Sequence, residues 1–217
     1  SDNDNSDGND GNNGSDNSGG NNQENVVTIG AFEFTESTDG YILTKANLTT
    51  ETEIIIPSTC NNKPVIEIGN DVFYNCDSIT SITIPDSIIT ISRLAFGYCS
   101  NLTSVTIPNN VAYIDYQAFE YCKNLTSLII TNELTSIENN AFYGCNKITG
   151  LSIQGKVTTL SSRAFQGCSG LSNIIIPNSV IRIESDSFHG CSSLTSITIP
   201  SNVNFIGERA FLDCSGL

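Results

Sequence analysis

The sequence has little positive charge and no long apolar run. Its 217 residues carry nine Lys and Arg against 23 Asp and Glu, a net charge of −14. No cluster of basic residues offsets this acidity, so phosphate backbones and anionic headgroups are repelled and no nucleic-acid partner is expected. No apolar run approaches the roughly 18 residues that cross a bilayer. The chain is therefore not expected to span a membrane.

The first 25 residues lack apolar side chains altogether. They are only Ser, Asp, Asn, Gly, Gln and Glu, so nothing offsets the entropy of ordering their backbone. We predict a disordered leader or tether over residues 1–25. The rest of the chain holds 17 acids against nine bases, so the part predicted to fold is itself acidic. No charged-then-apolar signal segment opens the chain, as is typical of a mature or trimmed product.

A 23-residue repeat organises the remaining chain. Seven cysteines recur 23 residues apart, and a phenylalanine stands three residues before each of them. The residue before the phenylalanine is alanine, except at Val72 and Ser187. Such self-similarity is typical of a solenoid, in which stacked coils bury side chains that one coil alone leaves exposed. The in-phase cysteines are Cys76, Cys99, Cys122, Cys145, Cys168, Cys191 and Cys214, whereas Cys60 is out of phase.

Each repeat also contains two short apolar segments. Behind the cysteine, apolar and hydroxyl residues alternate, as at 104–107 and 196–199, which predicts a half-buried strand. A proline ends four of these segments because it has no N–H for the ladder, and Thr131 and Gln154 replace it elsewhere. A V-x-x-I pattern then closes the coil. We predict about seven coils over residues 62–217, the last one incomplete because the chain stops at Leu217 before its strand.

The period fails between residues 26 and 61. Apolar residues alternate over 28–34 and again over 39–43, which predicts a β-hairpin. We assign residues 26–61 to an N-terminal cap hairpin and the segment that leads into the first coil.

The consensus L-x-x-L/I/V-x-I-P-x-x-V-x-x-I-x-x-x-A-F-x-x-C, over about residues 52–217, closely resembles the BspA-like leucine-rich-repeat family, also called the Treponema pallidum type. The resemblance implies a right-handed, gently curved leucine-rich-repeat solenoid, mainly β, with short parallel strands joined by turns or 3₁₀ segments. Its members are surface or secreted proteins of bacteria and some parasitic protists, and several are implicated in adhesion. The resemblance implies no chemistry, and fold does not give function.

The cysteines suggest disulfides or zinc, but the geometry of stacked coils favours neither. Equivalent residues in stacked coils lie about 4.8 Å apart, whereas a disulfide needs Cβ atoms about 3.8 Å apart. A single row of sulfurs does not surround a zinc ion tetrahedrally. We expect reduced, buried thiols that fill apolar core positions without a partner, and we predict no metal and no cofactor.

Catalytic groups are equally sparse. His189 is the only histidine, and equivalent positions hold varied residues, which indicates a surface site. Asp115 and Glu138 occupy equivalent positions in adjacent coils, at a spacing that suits a retaining glycosidase. A solvated acidic patch explains them better, so we predict that the chain is not an enzyme.

Two surfaces are candidates for partner binding. Tyrosine offers apolar area with a polar tip, and exposed tyrosines one period apart predict an aromatic strip that binds a partner. The alternative is that the rings merely cover the convex side of the solenoid. The outer face of the strands presents small hydroxyl and apolar side chains suited to an extended partner. The tyrosines are Tyr74, Tyr98, Tyr113, Tyr116, Tyr121 and Tyr143, and the strand face comprises Thr83, Thr106, Ile129, Ile175 and Thr198.

These features predict an extracellular binding or adhesion module, secreted or attached to the cell surface through its tether. Its expected partner is a protein or glycan of a host or neighbouring cell, and its oligomeric state is left open. The alternative is a structural spacer that projects another domain from the cell.

Overall fold

The structure, a computed structural model, describes residues 26–130 and 133–217. The predicted tether lies outside the described residues, as does Thr131. The described part contains 17 short strands and no helix, which confirms the solenoid of short strands and turns. The strands are β1 (Val26–Ile29), β2 (Phe32–Glu36), β3 (Tyr41–Ala46), β4 (Glu53–Ile55), β5 (Thr59–Cys60), β6 (Lys63–Ile68), β7 (Ser81–Thr83), β8 (Thr90–Ile91), β9 (Ser104–Thr106), β10 (Tyr113–Ile114), β11 (Ser127–Ile129), β12 (Ser136–Ile137), β13 (Gly150–Ser152), β14 (Thr159–Leu160), β15 (Asn173–Ile175), β16 (Arg182–Ile183) and β17 (Phe205–Ile206).

Antiparallel strands cover the N-terminal end of the solenoid. The predicted hairpin forms between β2 and β3, and a turn at Gly30 adds β1 to its other edge. Gly30 has a φ of +59°, a conformation that glycine adopts without steric cost. Because β3 pairs in parallel with β6, the cap continues directly into the first side of the solenoid. The boundary at residue 61 stays a prediction.

Each coil has three sides, and two of them are parallel sheets. The first sheet runs from β6 through β8, β10, β12, β14 and β16 to β17. The second contains β4, β7, β9 and β11, and a separate pair, β13 and β15, follows it. Partners in register lie one repeat apart, as Ile91 and Ile114 do, so every apolar column of the sequence becomes a continuous row in the core.

The last predicted strand is missing from the described structure. Residues 196–199 follow the repeat pattern but form no strand, although Thr195 N–H still donates to Ser172 O at 3.3 Å. Sequence alternation alone therefore overestimated the second sheet by one strand.

The third side of each coil is built by the A-F-x-x-C turns. In every turn except the last, the phenylalanine N–H donates to the carbonyl of the residue 22 positions later, as Phe96 does to Ala118 at 2.8 Å. Two residues per turn have positive φ, one before the alanine and one before the cysteine. This side thus carries exposed side chains on tightly bent backbone.

The phenylalanines form an unbroken stack through the core. Six successive ring pairs, from Phe73 to Phe211, have centroids 5.0–5.6 Å apart and interplanar angles of 3–14°. All but Phe211 are fully buried. Offset stacking of this kind adds about 0.5–1.5 kcal/mol per pair to the burial of the rings.

The cysteines are free thiols, as predicted, but six of them have hydrogen-bond partners. Each thiol from Cys99 onwards donates to the carbonyl of a phenylalanine in the preceding coil, at Sγ–O distances of 3.0–3.3 Å. Because burial is the largest contribution, the pKa of Cys99 rises to about 12. Cys76 is only partly buried, so the expectation that all seven in-phase cysteines are inaccessible is wrong for the first coil.

Candidate binding surface

Four of the predicted tyrosines form a row on the turn side of the first four coils. We call Tyr74, Tyr98, Tyr121 and Tyr143 the tyrosine row. Successive ring centroids lie 5.5, 5.1 and 5.1 Å apart, and the planes meet at 69°, 43° and 80°. Tyr74 is 46% exposed and the other three are half-buried. The rings therefore offer a mixture of faces and edges and not one flat platform.

Two members of the tyrosine row stand on unusual backbone. Tyr98 and Tyr121 have φ values of +63° and +55°. The next three coils place Gly144, Gly167 and Gly190 at the same position, also with positive φ. A bulky side chain is uncommon in this region and costs roughly 1–2 kcal/mol. The two rings are thus kept on the surface at a cost that glycine avoids.

The ring of Tyr121 is held on three sides. A Cβ added to Gly144 would lie 2.7 Å from Cδ1 of Tyr121, so the ring lies directly against this glycine. Hydrogen bonding with Tyr143, together with burial, raises the pKa of Tyr121 to about 12. Lys123 Nζ lies 5.4 Å from the ring centroid. The row therefore presents rings of fixed orientation.

A buried carboxylate lies among these rings. Glu120 is 5% exposed, and its Oε2 accepts a hydrogen bond from Gln117 Nε2 at 2.5 Å. The Tyr98 N–H donates to the Glu120 carbonyl at 2.7 Å, so the two residues are direct neighbours on adjacent coils. Burial and then the negative charge of Glu120 raise the pKa of Tyr98. Within residues 26–130 and 133–217, no Lys, Arg or His forms an ion pair with Glu120.

The other buried carboxylate, Asp186, is surrounded by basic groups. Its Oδ2 lies 3.0 Å from Arg209 Nη2 and 3.8 Å from Arg163 Nε. His189 Nδ1 lies 3.2 Å from Asp186 Oδ1, and His189 Nε2 lies 3.2 Å from Asp213 Oδ2. The side chain of His189 is only 23% exposed, so this ring is less accessible than a surface position predicts.

Tyr113 and Tyr116 lie away from the tyrosine row. Tyr113 belongs to β10, and the two side chains are 52% and 40% exposed. Of the described ring contacts, none joins either of them to the row. Four of the six predicted tyrosines are thus brought together, and two are separate exposed rings.

The strand face is exposed as predicted for most of its members. Thr83, Thr106, Ile129 and Ile175 point outward from β7, β9, β11 and β15, and the two isoleucines are 53% and 64% exposed. Thr198 is exposed but lies outside any strand. Sequence reasoning missed Ile55, which is 74% exposed on β4, because it precedes its partner Thr83 by 28 residues instead of 23.

A shallow groove of about 550 Å³ lies between the proline turns and the first sheet. Ile66, Ile89 and Ala112 line it, and Asp39 lies at one end. At the other end Glu133 pairs with Lys156, whose Nζ is 2.8 Å from Glu133 Oε2. The groove combines an apolar floor with polar ends.

The carboxylate pair that the sequence singled out is engaged locally. Asp115 Oδ1 accepts the Tyr116 N–H at 2.6 Å, and Glu138 accepts the Ser136 hydroxyl, so each carboxylate is engaged on its own coil. Across the described ranges, no three Cys, His, Asp or Glu residues are grouped to hold a metal ion. The part of the chain that the structure describes also contains no helix long and apolar enough to cross a membrane.

The repeat matches a known family model. The model of the BspA type leucine rich repeat region matches six copies, over residues 39–172 and 158–217. The chain belongs to the BspA-type leucine-rich repeat family. Leucine-rich-repeat solenoids of this family are typically not enzymes. A comparison with curated protein sequences gave no match.

Solved structures of bacterial proteins share this BspA-type fold. A leucine rich cell surface protein from Faecalibacterium prausnitzii is 35% identical with a TM-score of 0.81, over 88% of this chain and 53% of that one. The leucine rich repeat protein of Treponema pallidum is 26% identical with a TM-score of 0.83, over 86% and 88% of the two chains. A leucine-rich repeat protein from Eubacterium ventriosum is 25% identical with a TM-score of 0.77, over 89% and 50%. The chain thus spans about half the length of the first of these relatives.

Sequence reasoning also missed the burial of Glu120 in this BspA-type repeat. The equivalent positions hold Tyr74, Gly97, Tyr143 and Gln166 among others, a variety that indicates solvent exposure. The structure instead buries Glu120, with the Gln117 amide bonded to its carboxylate. The only signal in the sequence was a single acidic residue in a column that is otherwise free of acidic residues.

Proposed function

We propose that this BspA-type chain is a binding or adhesion module that contacts its partner through the tyrosine row. One observation carries the proposal: Tyr98 and Tyr121 occupy strained positions at which the next three coils have glycine. Strain retained at a surface position is a pointer to function, because folding alone favours glycine there. Tyrosine is also enriched among the residues that dominate binding energy at interfaces.

The family supports the general class of this function. Leucine-rich repeats of surface proteins suggest protein interaction, and stacked coils present an extended, regular surface to a partner. We further propose that the module is secreted or displayed on the cell surface. The support for this location is the similarity to the F. prausnitzii cell surface protein. Attachment through residues 1–25 stays a prediction.

The test uses a double variant that removes two rings without straining the fold. Tyr98→Gly with Tyr121→Gly installs the residue found at this position in three other coils, so the backbone conformation is retained. The protein and the variant are compared on panels of immobilised extracellular-matrix proteins and glycans. We expect a partner bound by the unaltered protein to lose at least about tenfold in affinity, since each ring is a central contact.

The matched control lies on the strand face. Thr83→Ala with Thr106→Ala removes two exposed side chains of β7 and β9 and should leave the affinity unchanged. The reverse result, with binding lost at the threonines and kept without the tyrosines, moves the site to the strand face. Absence of any bound partner across both panels overturns the proposal and favours a structural spacer.

A further inference from the structure

The two buried carboxylates on the turn side are balanced in different ways. Asp186 has Arg209, Arg163 and His189 within 4 Å, so its charge is compensated inside the protein. Glu120 is as deeply buried, at 5% exposure against 4%, yet among the described residues it has only the neutral amide of Gln117. A buried charge without an opposite charge is costly. A cation supplied from outside would therefore be stabilised at Glu120.

The rings around Glu120 suit a cation as well. Tyrosine faces carry negative charge density and attract ammonium or guanidinium groups within about 6 Å of the centroid. Tyr121 and Tyr143 meet edge to face at 80°, so the two rings form the walls of a corner. The protein already places one of its own ammonium groups, that of Lys123, 5.4 Å from the centroid of Tyr121. The ring of Tyr121 thus already has a cation at a distance typical of this interaction.

We propose that Glu120, together with the rings of Tyr98, Tyr121 and Tyr143, is a site for a lysine or arginine side chain of a basic protein partner. The inference rests on the proposed function and names the chemistry of its partner. The carboxylate accepts hydrogen bonds from the incoming group, and the rings surround the apolar stem behind it.

The charge of the whole molecule favours the same partner. The net charge of −14 attracts a basic surface from a distance and repels acidic glycans. Arginine is the preferred basic residue for a site with a planar carboxylate and aromatic walls. Its guanidinium stacks on aromatic rings and donates two parallel hydrogen bonds to a carboxylate. A neutral glycan would gain nothing from the charge on Glu120.

The experiment measures binding of octalysine and octaarginine to the full chain by tyrosine fluorescence, which no tryptophan obscures because the sequence has none. Glu120→Gln removes the charge and keeps the side-chain shape. The control, Glu208→Gln, makes the same change of net charge at an exposed position in the last coil, away from the row. We expect Glu120→Gln to weaken binding at least about tenfold, and Glu208→Gln by less than about twofold.

Further measurements distinguish a specific cation site from general charge attraction and from glycan binding. The circular dichroism of Glu120→Gln should be unchanged and its unfolding midpoint unchanged or higher, since the variant removes a buried charge.

Equal weakening of peptide binding by the two Glu→Gln variants, or no binding of either peptide, overturns the cation site. Binding of a neutral oligosaccharide that Glu120→Gln leaves intact assigns the row to glycans instead. A partner from the panels that requires Tyr98 and Tyr121 but tolerates Glu120→Gln leaves the proposed function standing and removes this inference.

Discussion

Ser187 stands where five other coils place alanine, immediately before the stacked phenylalanine. It is fully buried, and among the described residues its hydroxyl has no hydrogen-bond partner. A buried hydroxyl in this state costs about 1–3 kcal/mol because it has lost its contact with water. The Ser187 hydroxyl therefore lowers the stability of the folded protein at this position of the column.

Replacing Ser187 by alanine should stabilise the protein. We expect the free energy of unfolding to rise by about 1 kcal/mol in a urea titration, because the unpaired hydroxyl is removed. The reciprocal change in the preceding coil, Ala164→Ser, should lower it by a similar amount. A loss of stability in Ser187→Ala would show that the hydroxyl has a partner in solution.

The thiols should differ sharply in reactivity. Burial raises the pKa of Cys99 to about 12 and that of Cys145 well above its ordinary value, so thiolate is scarce at these sites. Cys76 is only partly buried. With a disulfide reagent at mildly alkaline pH, we expect one rapidly reacting thiol in the folded protein and all eight after unfolding. Cys76→Ser should abolish the rapid phase; rapid labelling of several thiols in that variant would contradict the buried ladder.

At the scale of the structural elements, the phenylalanine stack couples neighbouring coils. Phe142 is fully buried, with Phe119 and Phe165 stacked on its two sides at 5.3 and 5.6 Å. Phe211 in the last coil is only partly buried and stacks on Phe188 alone, at 5.4 Å. The same residue type therefore contributes differently according to the number of coils around it.

Alanine substitutions should reveal this difference. Phe142→Ala opens a cavity between two coils and should lower the free energy of unfolding by about 3–5 kcal/mol, measured by chemical denaturation. Phe211→Ala should cost at most about half as much, since its ring has one stacked neighbour. Equal costs for the two variants would mean that the last coil is covered in solution.

The elements could be predicted from sequence wherever the position of a side chain follows from the pattern of its own repeat. The phenylalanine and cysteine columns, the strands behind the cysteines and the N-terminal hairpin follow from the period and from alternation. The V-x-x-I segments were predicted only to close the coil, and the structure shows that they form the strands of the first sheet. The missing strand at 196–199 does not follow from the pattern, because strand formation depends on hydrogen bonds to another coil, which alternation within one repeat does not record. The thiol partners and the burial of Glu120 were also hidden, since the atoms concerned come from neighbouring coils.

At the scale of the whole molecule, each coil contacts mainly its neighbours, so the solenoid should tolerate the loss of one whole repeat. Deleting residues 145–167 joins Gly144 to Cys168, keeps the tyrosine row and lets Phe142 stack on Phe188. We expect β-type circular dichroism and a cooperative unfolding transition at a slightly lower midpoint. Deleting 145–164 instead removes 20 residues and shifts every later column out of register, so that variant should not fold cooperatively. Equal behaviour of the two deletions would argue against a periodic core.

The hydrogen bonds between coils run along the solenoid axis, and this direction decides how the protein responds to mechanical force. A pull on the two ends loads the bonds of one coil at a time, beginning with the last coil, which lacks its strand at 196–199. Each coil that opens replaces a ring spacing of 5.0–5.6 Å with 23 residues of free chain, roughly 75–80 Å when extended. The molecule therefore lengthens in steps under tension, and the tyrosine row in the first four coils stays assembled while the distant coils absorb the load.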